Sequence, residues 1–296
     1  MPQQQAQALY WTTFKMTPEQ QALQQQIREQ LGVTSTFDVT QELAHRTTFL
    51  KDYLLSSRLD TLVIGVSGGV DSLAAGLLAH KAVLLARQQG YSRARLTVLH
   101  LPYGQQADAD DAIACAKLMQ PDQTLTVNIQ AATDQLLQEL IDQGLLFESD
   151  QQQDIIHGNI KARQRMVTLF AVAGALRGLV VGTDQAAEIL TGYSTKFGDA
   201  AADVMPLLGL HKARVRLLAQ HLGAPDYLVN KDPTADLESL FPMRPDEDSF
   251  GVSYEEIDRF LEGHAIDASA AERLLQLWHA SAHKRKLPPG PPVLGD

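Results

Sequence analysis

The stretch VIGVSGGVDSLAAGLL, from Val63 to Leu78, places an apolar run, a Ser-Gly-Gly turn and an acidic residue directly before a helical pattern. The β-branched residues at its start are typical of a buried strand, and the apolar residues from Leu73 onwards repeat at helical spacing. Gly68 and Gly69 permit a tight turn between the two elements. The stretch therefore predicts a strand, a glycine turn and a helix in immediate succession.

This turn is expected at the carboxyl end of a strand, which is where ligands bind in open parallel sheets. Ser67, Gly68 and Gly69 let backbone N–H groups approach an anion closely, and the following helix adds the positive end of its dipole. A phosphate group is the expected ligand. The alternative is a plain tight turn in which Asp71 or Ser72 only caps the helix.

Short apolar runs alternate with helical patterns along the middle of the chain. The predicted strands are TLVIGV, RLTVLHL, QTLTVNI and GLVVGT, and the helical patterns between them include 73–89, 107–120 and 133–143. Strands that alternate with helices at this spacing predict βαβ units, and therefore a parallel sheet with helices on both faces. The predicted fold class is α/β, a doubly wound and mainly parallel sheet.

Helices are predicted on both sides of this alternating region. Thr17 to Gln20 has the pattern of a capping box with proline at the first helical position, and Ser253 to Glu256 is a second capping box. A polar, proline-bearing segment, 230–251, is predicted as a long loop. A last helix is expected from Ala268 to about His283, and LPPGPPVLGD after it cannot continue a helix.

One domain is expected to span residues 1–296. We expect it to consist of N-terminal helices at about 1–58, a core with the predicted phosphate loop at about 59–250, C-terminal helices at about 251–287 and a mobile tail at 288–296.

Composition excludes several classes of protein. The chain has 296 residues and a formal net charge of -10, which argues against the many Lys and Arg contacts of a nucleic-acid surface. No stretch approaches the roughly 20 apolar residues of a membrane span, and the first residues lack the features of a signal peptide. Cys115 is the one cysteine, expected as a buried structural thiol in a reducing compartment. We expect a cytoplasmic protein that binds neither nucleic acid nor membranes.

The predicted phosphate loop differs from the two most familiar nucleotide motifs. It lacks the Gly-Lys-Ser/Thr of a Walker A loop, and its glycines are adjacent rather than spaced as in GxGxxG. The hexapeptide Ser67 to Ser72 resembles instead the pyrophosphate-binding loop of the N-type ATP pyrophosphatases. That resemblance implies cleavage of ATP between its α and β phosphates and adenylation of a carbonyl or carboxyl oxygen.

Later segments narrow the resemblance. They are LPYGQQAD (101–108), GNIKARQRM (158–166), VGTDQAAEILTGYSTKFGD (181–199), KDPTADL (231–237) and HKRK (283–286). With the phosphate loop they resemble the ammonia-dependent NAD synthetase family, from the N-terminal helices to about Arg285. The resemblance implies a core similar to the adenine nucleotide alpha hydrolases and an ATP-dependent amidation of deamido-NAD with ammonia, the last step of NAD biosynthesis.

The resemblance also implies roles for single residues. The implied ATP-binding residues are Gly65, Val66, Ser67, Gly68, Gly69, Val70, Asp71, Ser72, Thr183, Lys212 and Thr234. The implied deamido-NAD-binding residues are Arg163, Lys196, Asp203, His283 and Lys284. Asp71 and Glu188 correspond to Mg²⁺ ligands, and no covalent nucleophile is implied.

General chemistry supports the metal role, although each residue taken alone has a plainer interpretation. Mg²⁺ prefers hard oxygen ligands and combines few protein carboxylates with substrate phosphates, so one Asp and one Glu suffice. Taken alone, Asp71 fits a helix cap and Glu188 a solvated helix residue. The basic run from His283 to Lys286 equally fits a helix C-terminus, where the dipole favours cations.

The remaining basic residues also have an alternative on the surface. Lys161 and Arg165 of GNIKARQRM, near a predicted helix start, are expected on an exposed face, whereas Arg163 between them matches the family. Lys196 and Lys212 fit neutralisation of the transferred phosphoryl group or of substrate phosphates. A surface lysine is the alternative for either.

The chain departs from the family pattern in two places. Val70 stands where the family loop commonly has Gln, a change that keeps the loop and removes a polar side chain. Ala200, Ala201 and Ala202 stand where the family often has glycines, and alanine disfavours positive φ. That loop is therefore expected to be stiffer or differently shaped, which bears on the role of Asp203.

The resemblance implies a reaction in two steps. The nicotinate carboxylate of deamido-NAD attacks the α-phosphorus of ATP and releases pyrophosphate, and ammonia then displaces AMP from the acyl adenylate to give NAD. Positioning and charge neutralisation supply the catalysis. Because the adenylate hydrolyses readily, the polar loops at 191–203 and 231–249 are expected to act as lids.

The donor and the assembly follow from the same resemblance. Glutamine-using relatives carry a separate amidase domain with a catalytic cysteine, and this chain has neither the length nor a suitable thiol, so free ammonia is expected. Family members are homodimers, which suggests an interface role for the N-terminal helices and the last helix. Two other functions stay open: another ATP pyrophosphatase, such as an amidotransferase half or a tRNA-thiolating enzyme, and a sensor that binds ATP without chemistry.

Overall fold

The structure, a computed structural model, describes residues 16–106, 108–234 and 237–291. Predictions for residues 1–15, 107, 235 and 236, and for 292–296 of the tail, lie outside the described residues. The strands are β1 (Thr61–Gly65), β2 (Arg95–His100), β3 (Gln123–Thr126) and β4 (Gly178–Val180). The helices are α1 (Pro18–Leu31), α2 (Val39–Ser57), α3 (Val70–Gln88), α4 (Ala109–Met119), α5 (Gln130–Asp142), α6 (Asp150–Ala175), α7 (Ala186–Thr191), α8 (Lys212–His221), α9 (Asp226–Val229), α10 (Asp246–Phe250), α11 (Tyr254–Glu262) and α12 (Ala268–Ala280), followed by a 3₁₀ turn (Ala282–Lys284).

The four strands form one parallel sheet in the order β3-β2-β1-β4. The central strand β1 pairs with both neighbours, so that Val63 lies beside Thr97 on one side and Val180 on the other. Helices cover both faces, because α3 and α4 pack on one face of the sheet and α6 on the other. The predicted doubly wound α/β fold is confirmed.

Burial on both faces explains why β1 is a continuous apolar run. Leu62 and Ile64 are fully buried against α3 through residues such as Leu73, whereas Val63 points to the opposite face and packs with Ala173 of α6. Alternate residues of a strand face opposite sides, so a strand covered on both sides needs apolar residues at every position. The apolar run at the start of the opening stretch therefore encodes the centre of the sheet.

The strand order creates a crevice beside β1. The chain leaves β1 through α3 towards β2, whereas β4 lies on the other side of β1. The segments that follow β1 and β4 therefore diverge at the carboxyl ends of the strands, which is the usual ligand position in such sheets. These segments are 65–72 and 181–188.

The ends of several helices follow the predicted local signals. Thr17 Oγ1 accepts a hydrogen bond from Gln20 N, and the Gln20 side chain accepts one from Thr17 N. Ser253 and Glu256 form the same reciprocal box at α11. Both predicted capping boxes are therefore confirmed.

Two local predictions were wrong. The segment 230–251 is not loop throughout, because α10 forms at Asp246–Phe250. GNIKARQRM does not lie near a helix start, since α6 begins at Asp150 and runs for 26 residues. The glutamines at 151–153 lie in the exposed to half-exposed first turn of this helix. Because they show no apolar periodicity, the sequence did not indicate that the helix begins there.

The N-terminal and C-terminal helices meet in a separate apolar cluster. Ile27 of α1 packs there with Ile257 and Phe260 of α11 and Leu274 of α12, and α7 contributes Leu190. Helices α1, α11 and α12 thus reach α7, which follows β4 at the crevice. The predicted division of the chain at about residues 58, 250 and 287 stays a prediction. Among the described helices, none is long and apolar enough to cross a membrane.

Candidate active site

A cavity of about 270 Å³ opens at the crevice between the carboxyl ends of β1 and β4. All the predicted ATP-binding residues except Gly68 line it, together with Glu188. A second cavity of about 240 Å³ lies beside it. Tyr193, Asp199 and Leu237 line both cavities, so the two spaces adjoin.

The phosphate loop has the backbone that its glycines predict. Gly68 has a φ of 85°, and a Cβ atom there would lie 3.0 Å from the backbone nitrogen of Ala112, so glycine is required. Gly69 is the N-cap residue of α3, and no side chain caps this end of the helix. The capping alternative is therefore wrong for Asp71 and for Ser72. The Ser72 hydroxyl donates to the Gly69 carbonyl oxygen and accepts from Ser67 N in the loop, and not from an amide of the first helical turn. The uncapped end of α3 faces the cavity, where an anion would be stabilised.

Lys212 provides a buried positive charge opposite this loop. Its ammonium donates to Asp71 Oδ2 at 2.6 Å and lies 3.9 Å from Glu188 Oε1, and its side chain is only 3% exposed. Burial alone would lower the pKa of Lys212, but the carboxylates of Asp71 and Glu188 outweigh burial and raise it. The lysine therefore stays protonated at neutral pH.

The cavity holds more acidic groups than this lysine balances. Burial and the neighbouring Asp71 raise the pKa of Glu188 well above its ordinary value. Burial, with Asp199 and Asp71, raises the pKa of Asp184 to about 7. Burial also raises the pKa of Asp246, although Lys212 opposes the shift. An anionic nucleotide would meet repulsion here unless further positive charge accompanied it.

Sequence reasoning missed two of these acids. Asp184 follows Thr183 directly in the VGTDQ segment, so its proximity to a predicted ATP residue was a usable signal. Asp246 lies in the segment predicted as loop, where nothing local distinguishes it. Its carboxylate accepts a hydrogen bond from the Tyr254 hydroxyl at 3.1 Å, a contact that only the fold creates.

Asp71 and Glu188 fit a magnesium ion as a pair. Asp71 Oδ1 is buried and has no hydrogen-bond partner among the described residues, and the Glu188 carboxyl lies within hydrogen-bonding reach of Asp71. In the described part of the chain, no three His, Cys, Asp or Glu side chains form a cluster that could hold a metal. Two carboxylates are nonetheless sufficient where phosphate oxygens complete the coordination.

The predicted deamido-NAD residues gather around one segment, 192–199. Arg163 Nη2 donates to the Lys196 carbonyl oxygen at 3.2 Å, and Lys196 Nζ donates to the His283 carbonyl oxygen at 2.7 Å. Lys284 Nζ donates to the carbonyl oxygens of Gly192 and Ser194, both at 2.8 Å. Four basic residues from three distant parts of the chain thus meet beside the second cavity, which Lys284 lines.

Asp203 stands apart from this group. It lines neither cavity, and its Oδ2 accepts a hydrogen bond from Val180 N at 2.7 Å while its own N–H donates to the Val180 carbonyl oxygen. These two hydrogen bonds hold the segment around Asp203 against the end of β4.

The alanines at 200–202 fit the loop without strain. None of the three has positive φ, whereas Phe197 just before them has a φ of 58°. Ala202 packs on the sheet, and a Cβ atom added to Gly182 would lie 2.7 Å from its Cβ. The backbone therefore does not require glycine where the family often has it.

Lys161 is not on an exposed face, contrary to the prediction. It is 3% exposed, and its ammonium donates to the Leu237 carbonyl oxygen at 2.8 Å and to Ser239 Oγ at 2.9 Å. Arg165 is half-buried, lines the first cavity and donates to the Leu101 carbonyl oxygen. Their position in the middle of α6, rather than at its start, brings both side chains against other segments.

One face of α6 forms a socket for the 237–240 segment. Asp154 accepts hydrogen bonds from Ser239 N and Leu240 N, both at 2.8 Å. Gly158 allows close approach, since a Cβ atom there would lie 3.2 Å from the Leu237 carbonyl oxygen. Together with Lys161, these residues form the α6 socket, which holds Leu237 over both cavities.

Cys115 has the structural role that its helical context predicted. It is fully buried in α4. Burial raises the pKa of its thiol to about 12, so it carries no thiolate at neutral pH.

Known proteins resemble the chain over most of its length. The NAD synthase family model matches residues 42–288. The chain is 51% identical to an NH(3)-dependent NAD(+) synthetase of Burkholderia lata over 265 residues, 90% of this chain and 94% of that protein. It is similar to the crystal structure of an NAD+ synthetase from Burkholderia pseudomallei, with 48% identity, a TM-score of 0.79 and coverage of 92% and 99%. It is also similar to an NMN synthetase from Francisella tularensis, with 35% identity, a TM-score of 0.75 and coverage of 86% and 99%.

The α6 socket predicts a change in protease sensitivity. In Asp154→Ala, the amides of Ser239 and Leu240 lose their acceptor, which costs about 1–3 kcal/mol for buried groups. Thermolysin cleavage before Leu240 should then accelerate roughly tenfold or more, because cleavage follows the population of the open segment. Asp150→Ala, the same charge change at the exposed start of α6, is the control. Equal cleavage rates in the two variants would contradict the role of the socket.

Proposed function

The chain belongs to the NAD synthase family, and we propose that its two cavities perform the amidation of deamido-NAD by ammonia, driven by ATP. The products are NAD, AMP and pyrophosphate, and the enzyme is a ligase that forms a carbon–nitrogen bond. One observation carries the proposal: the phosphate loop at Ser67–Ser72, with the uncapped start of α3, faces the buried Lys212 across the crevice beside β1. The sequence identity of about one half to NH(3)-dependent NAD(+) synthetases supports it.

The adenylation step uses the first cavity. Backbone N–H groups of the loop and the end of α3 bind the ATP phosphates, and Lys212 offsets charge that develops as pyrophosphate leaves. The nicotinate carboxylate of deamido-NAD attacks the α-phosphorus, a new P–O bond forms, and the bond to the β-phosphate oxygen breaks. The product is an acyl adenylate. Thr183 and Thr234 line the same cavity as further proposed ATP contacts.

The amidation step needs no covalent enzyme intermediate. Ammonia adds to the carbonyl carbon of the adenylate, AMP leaves with the bonding electrons, and a proton is lost from nitrogen to give the amide. Cys115 is consistent with this route, because its thiol is protonated and fully buried, whereas a nucleophilic cysteine is a partly exposed thiolate. Free ammonia is the proposed donor.

We propose that Asp71 and Glu188 hold Mg²⁺ in the nucleotide complex. When bound, the ion would neutralise phosphate charge and support departure of pyrophosphate. The excess of carboxyl groups over Lys212 supports this proposal, since free ATP would be repelled by the same lining. Asp71 Oδ1, which has no hydrogen-bond partner among the described residues, supplies an oxygen ligand for the ion.

We propose that the basic group beside the second cavity binds deamido-NAD. Its members are Arg163, Lys196, His283 and Lys284, and charge-assisted bonds from such residues suit a dinucleotide pyrophosphate. For Asp203 we propose an indirect role, since its carboxylate holds the chain after β4 and so supports the neighbouring 192–199 segment.

A homodimer and a cytoplasmic location complete the proposal. α5 exposes Leu136 and Leu140, the following turn exposes Leu146 by 88%, and α6 exposes Val167, which together suit a subunit interface. Apolar residues of α1 and α12 pack within the chain, and an interface role of the N-terminal helices and the last helix stays a prediction. Sedimentation velocity of the purified chain tests the dimer, and a monomer at micromolar concentration would contradict it. A cytoplasmic location suits the use of ATP.

Product analysis tests the reaction. Purified enzyme with MgATP and deamido-NAD should release pyrophosphate, and NAD should appear only after ammonium is added. Nicotinate mononucleotide serves as the alternative acceptor, because a relative is an NMN synthetase. Turnover of the mononucleotide alone would overturn the dinucleotide assignment, and ATP binding without pyrophosphate release would favour a nucleotide sensor.

The metal proposal predicts a selective effect of Glu188→Gln. Glutamine can still accept the capping hydrogen bond from Gln185 N, so the fold should persist. The Mg²⁺ concentration needed for ATP binding, measured by calorimetry, should rise roughly tenfold or more, as weakened metal coordination produces. Glu256→Gln, at the equivalent position of the capping box of α11, is the matched control. An unchanged Mg²⁺ requirement in Glu188→Gln would remove Glu188 from the metal site.

A further inference from the structure

Helix α8 begins at Lys212 without a cap of its own. Its N-cap residue, His211, makes no side-chain capping hydrogen bond. Asp258 of α11 takes this place: its Oδ1 accepts from Lys212 N at 3.2 Å and its Oδ2 accepts from Ala213 N at 2.8 Å. The first N–H groups of a helix need acceptors, and a carboxylate is favoured there by the helix dipole. The backbone of Lys212 is therefore held by a residue 46 positions later in the chain.

Asp258 belongs to a stripe of three residues spaced four apart on α11. Residues at this spacing lie on the same face of a helix. The ring of Tyr254 lies 4.8 Å from Lys212 Nζ, and Glu262 Oε1 lies 3.1 Å from His211 Nε2. The stripe thus contacts the ammonium of Lys212, its backbone nitrogen and the residue before it.

The adjoining apolar face of α11, whose cluster includes Tyr254 itself, keeps this stripe in place. Ile257, Phe260 and Leu261 are fully buried in the cluster with α1, α7 and α12. The Ser253 capping box secures the start of the helix beside Tyr254. Close packing makes such a helix a rigid support, and a site built on rigid elements holds its side chains more exactly than one built on loops.

We propose that Asp258 is a positioning residue for Lys212, and that the Tyr254–Asp258–Glu262 stripe couples the C-terminal helices to ATP binding. This inference rests on the proposed function, in which Lys212 contacts ATP. Lys212 must reach Asp71, Glu188 and a nucleotide at once. Because its side chain is buried, it cannot change conformation to compensate for a small shift of its backbone. Small displacements of groups that position a substrate reduce rates severely.

Asp258→Ala tests the proposal. The kcat/KM for ATP should fall about 10–100-fold, the usual effect of removing a group that orients a ligand-binding residue, while KM for deamido-NAD stays unchanged. Asp258→Asn keeps one acceptor oxygen and should lose less. Asp267→Ala is the matched control, because Asp267 caps the adjacent helix α12 through Ser269 N and is exposed. Its ATP parameters should equal those of the unaltered enzyme.

Nucleotide affinity measured by calorimetry separates positioning from general destabilisation. Asp258→Ala should weaken MgATP binding in the unaltered chain and add nothing in a Lys212→Ala background, because Asp258 affects the nucleotide only by positioning the Lys212 ammonium. An equal loss in both backgrounds, or an equal loss in Asp267→Ala, would overturn the proposal. If Asp258→Ala does not fold, Asp258→Asn carries the same comparison. Failure of the unaltered enzyme to form NAD would reject the proposed function alone, since nucleotide binding is measured without turnover.

Discussion

The buried ion pair between Lys212 Nζ and Asp71 Oδ2 joins the two helix starts that form the nucleotide cavity. Asp71 lies in the first turn of α3, directly after the phosphate loop, and Lys212 is the first residue of α8, which is 141 positions later. Removing one partner of a buried pair leaves an uncompensated charge, which costs about 3–5 kcal/mol. The position of the loop and that of α8 are therefore mutually dependent, and helices that support either one also support the site.

The charge balance around this pair explains how an acidic chain can bind an anionic nucleotide. Asp184, Glu188 and Asp246 line the same cavity as the lysine, and their raised pKa values reflect burial and repulsion from neighbouring carboxylates. Backbone amides and the uncapped end of α3 supply positive potential without adding basic side chains. The net charge of -10 is thus compatible with phosphate binding, because the favourable field is local to the crevice.

Helix α6 links the chemistry of the two cavities. Its inner face holds Leu237 through Asp154, Gly158 and Lys161, and its outer residue Arg163 reaches the segment that gathers the basic group. A labile acyl adenylate requires that water be excluded while the second reactant enters. Helix α6 holds the 237–240 segment over the cavities and also forms part of the wall of the second cavity. One rigid helix can therefore both help to exclude water and keep the second binding site in place.

The sequence by itself determined the features that depend on local geometry. The strand, turn and helix of the opening stretch, the glycine at 68 and the capping boxes at Thr17 and Ser253 follow from spacing, φ preferences and neighbouring side chains. The order of motifs along the chain also indicated the family. The tertiary structure alone decided the burial of Lys161, the presence of Asp184 and Asp246 in the cavity that Lys212 lines, and the cap that Asp258 provides. These contacts depend on which helix faces meet after the sheet is assembled, and no periodicity within one segment encodes the identity of a partner far along the chain.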